Sequence, residues 1–197
     1  MIDEKILSQF GADTKKYSKG DRIFSQGDEA RYYFQMVSGE VKMNNYNDDG
    51  KEFLQGIFTH TDSFGEPPLL IDERYPANAE ALSDVVLWQL PKQAFFEMQR
   101  KVPEAAIAIG KRLAQRLYYK SIMASEISSQ DPEHRLLKLI DYLKKNIGTK
   151  GGGAFEVNLT RQQLADLTGL RVETVIRAIK NLERKGHLKI DHRKILR

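Results

Sequence analysis

Two charged residues one helical turn apart, Glu173 and Arg177, are the best candidates for binding chemistry in this chain. Residues four apart on a helix share a face. An arginine can donate two hydrogen bonds to guanine O6 and N7, and a glutamate can accept one from cytosine N4. The pair therefore suits recognition of base edges in DNA, although the same spacing is also common in exposed ion pairs that bind nothing.

The residues around this pair predict a helix-turn-helix. Thr160 followed by Gln163 is typical of a capping box at the start of a first helix, and Gly169 suits the turn between two helices. The second helix would enter the major groove with the end that carries Glu173 and Arg177. This context favours DNA recognition over a surface ion pair. The predicted DNA contacts are Thr160, Arg161, Gln162, Arg171, Val172, Glu173, Thr174, Arg177 and Lys180.

The distribution of charge agrees with a basic DNA-binding module at one end. The chain has 31 Lys and Arg against 27 Asp and Glu, a net charge of +4. Residues 131–197 contain 15 of the basic and 8 of the acidic residues, so they carry +7, and the remainder carries −3. This asymmetry is typical of a nucleic-acid module joined to a neutral or acidic one.

Composition also excludes several classes of site. The chain has no cysteine, which rules out disulfides, thiolate zinc sites and cysteine-ligated iron-sulfur clusters. The four histidines are isolated, with no pair at metal-ligand spacing, and no catalytic motif is present. We therefore expect no metal and no enzymatic activity. The absence of a long apolar run or a signal-peptide pattern predicts a cytoplasmic protein that does not contact a membrane.

The N-terminal half predicts an antiparallel β-structure. A short helix is expected over residues 1–13, followed by β-prone runs at residues 22–24, 32–37, 41–46, 53–58 and 85–89, which turn signals separate. This spacing predicts a sandwich or barrel. Glycine turns in such a fold are more often structural than ligand-binding, so no ligand follows from the pattern itself.

A long helix is predicted over residues 103–129, after a short one at 92–100. Mostly apolar residues spaced alternately four and three apart along this helix indicate a coiled-coil seam, which would form the interface of a homodimer. The predicted interface residues are Leu113, Leu117, Lys120, Ala124 and Ile127. A second stripe would cover the β-structure: Ile107, Ala114, Tyr118 and Ile122. Helix 135–146, a linker at 149–153, a strand at 155–159 and a two-stranded wing complete the prediction.

The segment TRQQLADLTGLRVETVIRAIKNLERKG resembles the cyclic-AMP receptor protein and fumarate-nitrate-reductase regulator (CRP/FNR) family of bacterial transcription factors. The stretches KGDRIFSQGD, FQMVSGEVKM and DSFGE resemble the β-roll of cyclic-nucleotide-binding domains. The resemblance implies that Glu173 and Arg177 recognise the core of each half-site. It also implies RNA polymerase as a partner. Val172 replaces an arginine of the cyclic-AMP branch, and Ile176 a serine of the anaerobic-regulator branch.

The resemblance also implies an effector pocket formed by Gly65, Glu66, Tyr75, Ala77, Lys120 and Ser121. In the cyclic-AMP branch an Arg-Ser-Ala run after the Gly-Glu binds the cyclic phosphate. Alignment on Ala77 puts Tyr75 and Pro76 where that arginine and serine belong. Cyclic AMP is therefore not expected to be the effector. A different ligand that uses Lys120, or no ligand, is left open.

Together these features predict an α+β protein with three parts. They are a cyclic-nucleotide-binding-like antiparallel β-roll at 1–102, a dimerisation helix at 103–130 and a winged helix-turn-helix at 131–197. The predicted function is a homodimeric regulator that binds an inverted repeat in double-stranded DNA. The alternatives are a signalling module that acts on a protein partner and a cupin-like barrel enzyme, whose His/Glu metal set is missing here.

Overall fold

The chain folds into two compact units, Met1–Ala114 and Gln115–Arg197. The computed structural model describes residues 1–48, 50, 52–129, 131–147, 154–192 and 194–197, with only the backbone at 126–129 and 146–147. The boundary between the units falls within the longest helix. The three-part division at 102 and 130 remains a prediction.

The first unit is an antiparallel β-roll with helices at its ends. Two four-stranded sheets form it, in the orders β1-β8-β3-β6 and β2-β7-β4-β5, and their strands pair antiparallel. The elements in chain order are α1 Glu4–Gln9, β1 Asp13–Tyr17, β2 Arg22–Phe24, β3 Tyr32–Ser38, β4 Val41–Tyr46, β5 Glu52–Phe58, β6 Ser63–Phe64, α2 Glu66–Ile71, β7 Asn78–Ala81, β8 Val85–Pro91, α3 Lys92–Lys101 and α4 Pro103–Ser129.

Four of these elements lie outside the sequence-based expectation. Strand β1 has four exposed residues out of five, so it carries no apolar alternation. It begins at Asp13, the last residue of the region predicted to be the first helix. Strands β6 and β7 are only two and four residues long. Helix α2 contains two prolines in its first turn, where proline is tolerated because those N–H groups need no partner within the helix.

Helix α4 packs against the β-roll with a different face from the one expected. Ala105 and Ile109 are buried in the core of the first unit, and Leu113 packs against it. Ile107, by contrast, is 56% exposed, and Ala114 is exposed. The prediction that Ile107 and Ala114 cover the roll is therefore wrong, and Leu113 lies on the roll side rather than on a free seam.

The second unit is a winged helix-turn-helix. After the end of α4 it contains α5 Pro132–Ile147, β9 Glu156–Val157, α6 Arg161–Thr168, α7 Val172–Arg184, β10 Lys189–Asp191 and β11 Lys194–Leu196. The wing has three strands in the order β10-β11-β9, because the strand before α6 joins the expected pair. The expected linker at 149–153 and the arginine expected at the wing tip, at position 193, lie outside the described residues.

A close approach of two turns makes Gly39 critical for the β-roll, which yields a first prediction. Gly39 has φ +84, and an added Cβ would lie 2.3 Å from the Asp84 carbonyl oxygen. We expect Gly39→Ala to destabilise the first unit by about 1–3 kcal/mol more than Gly20→Ala does. Gly20 has a similar φ of +91 but open space around the added carbon, so it is the matched control.

The measurement is urea unfolding followed by the fluorescence of Trp88, the only tryptophan in the chain. Trp88 lies on β8 and therefore reports the first unit. Equal unfolding midpoints for the two variants would show that the contact between the turns does not constrain the fold.

Candidate nucleic-acid interface

The first helix of the motif, α6, is fixed at both ends by its own sequence. The Thr160 hydroxyl accepts a hydrogen bond from the Gln163 N–H at 3.1 Å, and the Gln163 side chain accepts one from the Thr160 N–H at 2.8 Å. Gly169 ends the helix in the left-handed conformation, with φ 67, which an L-residue with a Cβ adopts at a cost. The predicted capping box and glycine turn are both confirmed.

Burial of one face of α7 determines which of its residues point outward. Val175, Ala178, Ile179 and Leu182 are 0–3% exposed and form part of the core of the second unit. Because an α-helix has 3.6 residues per turn, the opposite face is then fixed as well. That face carries exposed residues at helical spacing: Glu173, Ile176, Arg177, Lys180 and Arg184.

The exposed face of α7 borders a groove of about 460 Å³. It is lined by Ile190 on wing strand β10 and by five residues of α7, which are Arg177, Lys180, Asn181, Glu183 and Arg184. The Glu183 side chain accepts a hydrogen bond from the Ile190 N–H at 3.0 Å and so fixes the wing against the helix. Arg184 was not among the predicted DNA contacts, although its position seven residues after Arg177 places it on the same face.

Helix α5 anchors both parts of the motif. Arg135 is 7% exposed and donates a hydrogen bond to the Thr168 carbonyl oxygen at 3.1 Å, next to the turn. At the other end of α7, Glu133 accepts hydrogen bonds from Lys185 at 2.7 Å and Asn181 at 2.8 Å. The bond from Lys185, and then that from Asn181, lowers the pKa of the Glu133 carboxyl. Lys185, at the end of α7, therefore joins that helix to α5.

The wing is held to α5 by a bidentate ion pair. Arg197 donates to the two Asp141 oxygens at 2.7 and 3.2 Å, and to the His187 carbonyl oxygen at 2.7 Å. A planar guanidinium suits this geometry. Lys194 on β11 also pairs with Glu156 on β9 at 2.9 Å. Asp141 thus holds the wing to α5, and the Lys194–Glu156 pair joins two strands within the wing.

The remaining predicted DNA contacts differ in how exposed each side chain is and in whether it already makes a hydrogen bond within the protein. Arg171 is exposed and makes no capping bond at the start of α7. Gln162 is exposed, but its amide donates to Asp166 at 2.8 Å. Arg161 and Thr174 are half-buried, and the Thr160 hydroxyl is engaged in its cap. Val172 packs against the core, which leaves only part of its side chain exposed.

The predicted effector residues of the first unit lie in an aromatic interior. Gly65 has φ +79, and a Cβ added there would lie 3.3 Å from the Tyr75 ring. Tyr75 is 3% exposed, and its ring stacks on Phe24 with centroids 3.7 Å apart. Burial raises the pKa of the Tyr75 hydroxyl. Ala77 is fully buried, and Glu66 is 1% exposed and accepts a hydrogen bond from Ser63.

A cavity of about 360 Å³ opens beside this stack. It is lined by Ile23, Phe24, Asp28, Glu29, Arg31, Tyr32, Phe34, Tyr75 and Gln89. The other two predicted effector residues, Lys120 and Ser121, belong to the second unit and are exposed on α4. The Ser121 hydroxyl donates to the Leu117 carbonyl oxygen at 3.0 Å.

Two kinds of feature are absent from the part of the chain that the structure describes. Within the described ranges, no cluster of three or more His, Asp or Glu side chains is arranged to hold a metal ion. Among the described helices, none combines the length and the apolar character that a membrane span requires.

Comparison with known proteins gives matches to both halves of the chain. Residues 14–101 match the model of the cyclic nucleotide-binding domain, and residues 134–197 match that of the Crp-like helix-turn-helix domain. A CRP-like cAMP-activated global transcriptional regulator of Mycobacterium tuberculosis is 25% identical over 182 residues, covering 91% of this chain and 81% of that protein. Electron transport regulator A of Shewanella oneidensis is 24% identical over 184 residues, covering 92% and 73%.

Solved structures show the same fold. The c-di-GMP responsive global regulator CLP of Xanthomonas campestris superimposes with a TM-score of 0.77 at 22% identity, over 98% of both chains. A CooA mutant from Carboxydothermus hydrogenoformans gives a TM-score of 0.80 at 18% identity, over 98% of this chain and 84% of the other.

Proposed function

Because the chain belongs to the CRP/FNR family of DNA-binding transcription regulators, we propose that it binds an inverted-repeat DNA site as a homodimer through α7. The observation that carries this proposal is the exposed face of α7. It presents Glu173 and Arg177 side by side, with Lys180 and Arg184 further along the same face, while the opposite face is buried.

This arrangement supports different roles for the charged residues of the motif. Arg177 and Glu173, near the start of α7, suit a guanine and a cytosine at the core of each half-site. Arg161 at the start of α6 and Arg171 at the start of α7 suit phosphates, which orient a protein on DNA without distinguishing sequences. Two α7 helices related by a two-fold axis would recognise half-sites about 10 bp apart.

The free face of α4 supports dimerisation. Exposed residues follow a 3,4 alternation along it: Ile107, Gly110, Ala114, Leu117, Ser121 and Ala124. Leu117 is 67% exposed and its neighbour Tyr118 69%, which is unusual for large apolar side chains on one helix. We therefore place the seam on this face. It keeps Leu117 and Ala124 of the expected interface and replaces Leu113 and Lys120 by their neighbours Ala114 and Ser121. Lys120 is exposed beside it, and the side chain of Ile127 lies outside the described residues.

The interior of the β-roll supports an effector other than cyclic AMP, or none. The relative from M. tuberculosis is named as cAMP-activated. In this chain, alignment on Ala77 puts Tyr75 and Pro76 where the cyclic-AMP branch has its phosphate-binding arginine and serine. The nearest guanidinium in sequence, Arg74, is exposed and donates to the Gly27 carbonyl oxygen at 2.8 Å. Arg31 lines the cavity beside Tyr75, but it is exposed and paired with Glu29 at 2.8 Å. A phosphate buried at Tyr75 would therefore lack a free counter-charge, at a cost of several kcal/mol on an order-of-magnitude scale.

Family membership extends the proposal to RNA polymerase as a partner and to the cytoplasm as the compartment, since the regulator must reach chromosomal DNA. The proposed function requires no cofactor, iron-sulfur cluster or metal. The rival function, a signalling module that acts on a protein through its helical tail, would not require Glu173 and Arg177 to be exposed on one face.

The proposed base contact of Arg177 gives a second prediction. Arg177→Ala should weaken binding to a selected inverted repeat by roughly 1–3 kcal/mol per half-site and relax the preference at its own base pair. Arg161→Ala, the control, should weaken binding to all sequences alike. In vitro selection of duplexes with each variant distinguishes the two effects. Recovery of the wild-type motif at full strength by Arg177→Ala would refute this contact.

The proposed seam gives a third prediction. Leu117→Glu places like charges opposite each other in an apolar interface and should produce monomers. Affinity for the inverted repeat should fall by on the order of a hundredfold or more, because two half-sites no longer bind as one unit. Ile71→Glu is the matched control, since Ile71 is 68% exposed on α2. Analytical ultracentrifugation measures the oligomeric state of both variants. A Leu117→Glu protein that remains a dimer with unchanged DNA binding would contradict the proposed seam.

The aromatic interior gives a fourth prediction. Isothermal titration of the full-length protein with cyclic AMP should show no saturable binding up to tens of micromolar, by order-of-magnitude reasoning. AMP titrated in parallel reports non-specific association with basic side chains. A low-micromolar dissociation constant for cyclic AMP, together with tighter DNA binding in its presence, would mean that other residues of the roll supply the counter-charge.

A further inference from the structure

Ile176 is an apolar side chain on the otherwise polar recognition face. It is 40% exposed, whereas its neighbours in the core, Val175 and Ile179, are 0% and 2% exposed. Among the described side chains, those that pack against the core of the second unit do not include Ile176. Exposed isoleucines are common on protein surfaces, so exposure alone assigns no role to Ile176. Its role has to be inferred from its position on the helix.

Ile176 lies in the middle of the face proposed to bind DNA. It follows Glu173 by three residues and precedes Lys180 by four, and both spacings keep side chains on one helical face. Arg177 is its immediate neighbour, and all four side chains are exposed. A partner that covers Glu173 and Arg177 therefore also covers Ile176.

The chemistry of the major groove restricts what Ile176 can contact. Base edges there present hydrogen-bond donors and acceptors, and the apolar exception is the 5-methyl group of thymine. An isoleucine can neither donate nor accept a hydrogen bond. If it covered a polar base edge, it would remove water from that edge without replacing the hydrogen bond, which is unfavourable.

We infer that Ile176 is a specificity-determining residue that contacts the 5-methyl group of a thymine beside the base pair recognised by Arg177. The inference rests on the proposed function. Adjacent residues are offset by only about 1.5 Å along a helix axis, less than the base step of about 3.4 Å. Ile176 therefore reaches the base pair of Arg177 or the next one. Since a guanine-cytosine pair has no methyl group, the contact falls on the neighbouring pair.

The test removes single methyl groups from the DNA. The duplex is the inverted repeat selected by the full-length protein, and each thymine of the half-site is replaced in turn by deoxyuridine, in both half-sites. Deoxyuridine keeps the hydrogen-bonding edge and lacks only the methyl. At one position we expect the wild-type protein to lose about fourfold in affinity per half-site, the factor for one buried methyl group.

Two variants assign this loss to its side chain. Ile176→Ala should lose the sensitivity to deoxyuridine at that position and keep its preference for the neighbouring guanine, which shows that α7 still docks. Ile71→Ala removes an isoleucine of 68% exposure from α2 and should behave as the wild type. Anisotropy titrations of labelled duplexes give the affinities.

Failure of the inference is distinguishable from failure of the proposed function. If the wild type binds its selected site but no thymine shows a methyl effect that Ile176→Ala removes, the contact is refuted and the function stands. If the wild type enriches no duplex at all, the proposed function is refuted and the contact with it.

Discussion

The burial of one face of α7 is the constraint on which the DNA-binding surface depends. Val175, Ala178, Ile179 and Leu182 lie in the core of the second unit, and rotation of the helix by one residue would expose part of this set. Removing a large aliphatic side chain from a core costs on the order of 2–5 kcal/mol. The outward direction of Glu173 and Arg177 is therefore fixed by packing rather than by contacts of their own.

Polar contacts then fix where this helix begins and ends. The Arg135 bond to the Thr168 carbonyl oxygen holds the turn, and Glu133 holds the far end through Asn181 and Lys185. Both anchors come from the first turn of α5, which precedes the motif in the chain. Because Arg135 is buried, its replacement would leave an acceptor without its donor in the core as well as loosening the turn. A site on a rigid, doubly anchored helix is suited to distinguishing base pairs that differ by single groups.

Sequence patterns predicted the features that depend on local chemistry. The capping box at Thr160, the glycine turn at Gly169 and the apolar face of α7 each follow from residues a few positions apart. Strand β1 and helix α2 were missed, because an exposed edge strand lacks alternation and α2 begins with prolines. The side of α4 that packs on the roll was assigned to the wrong residues, Ile107 and Ala114. Apolar residues lie on more than one stripe of that helix, and only the packing of Ala105 and Ile109 in the roll distinguishes them.

The aromatic stack inside the β-roll could not be predicted, since it joins residues that are distant in sequence. Tyr75 stacks on Phe24 and closes against Gly65, and the segment is further held by Asn45, which donates to the Pro76 carbonyl oxygen at 2.6 Å. In the cyclic-AMP branch of the CRP/FNR family, the resemblance implies that the corresponding segment is organised around a phosphate. The alignment on Ala77 puts the aromatic stack at that segment here, and removing a buried ring from a core costs on the order of 3–5 kcal/mol. A ligand that acts on this roll therefore has to bind beside the stack, where the cavity lined by Phe34 and Gln89 lies, rather than replace it.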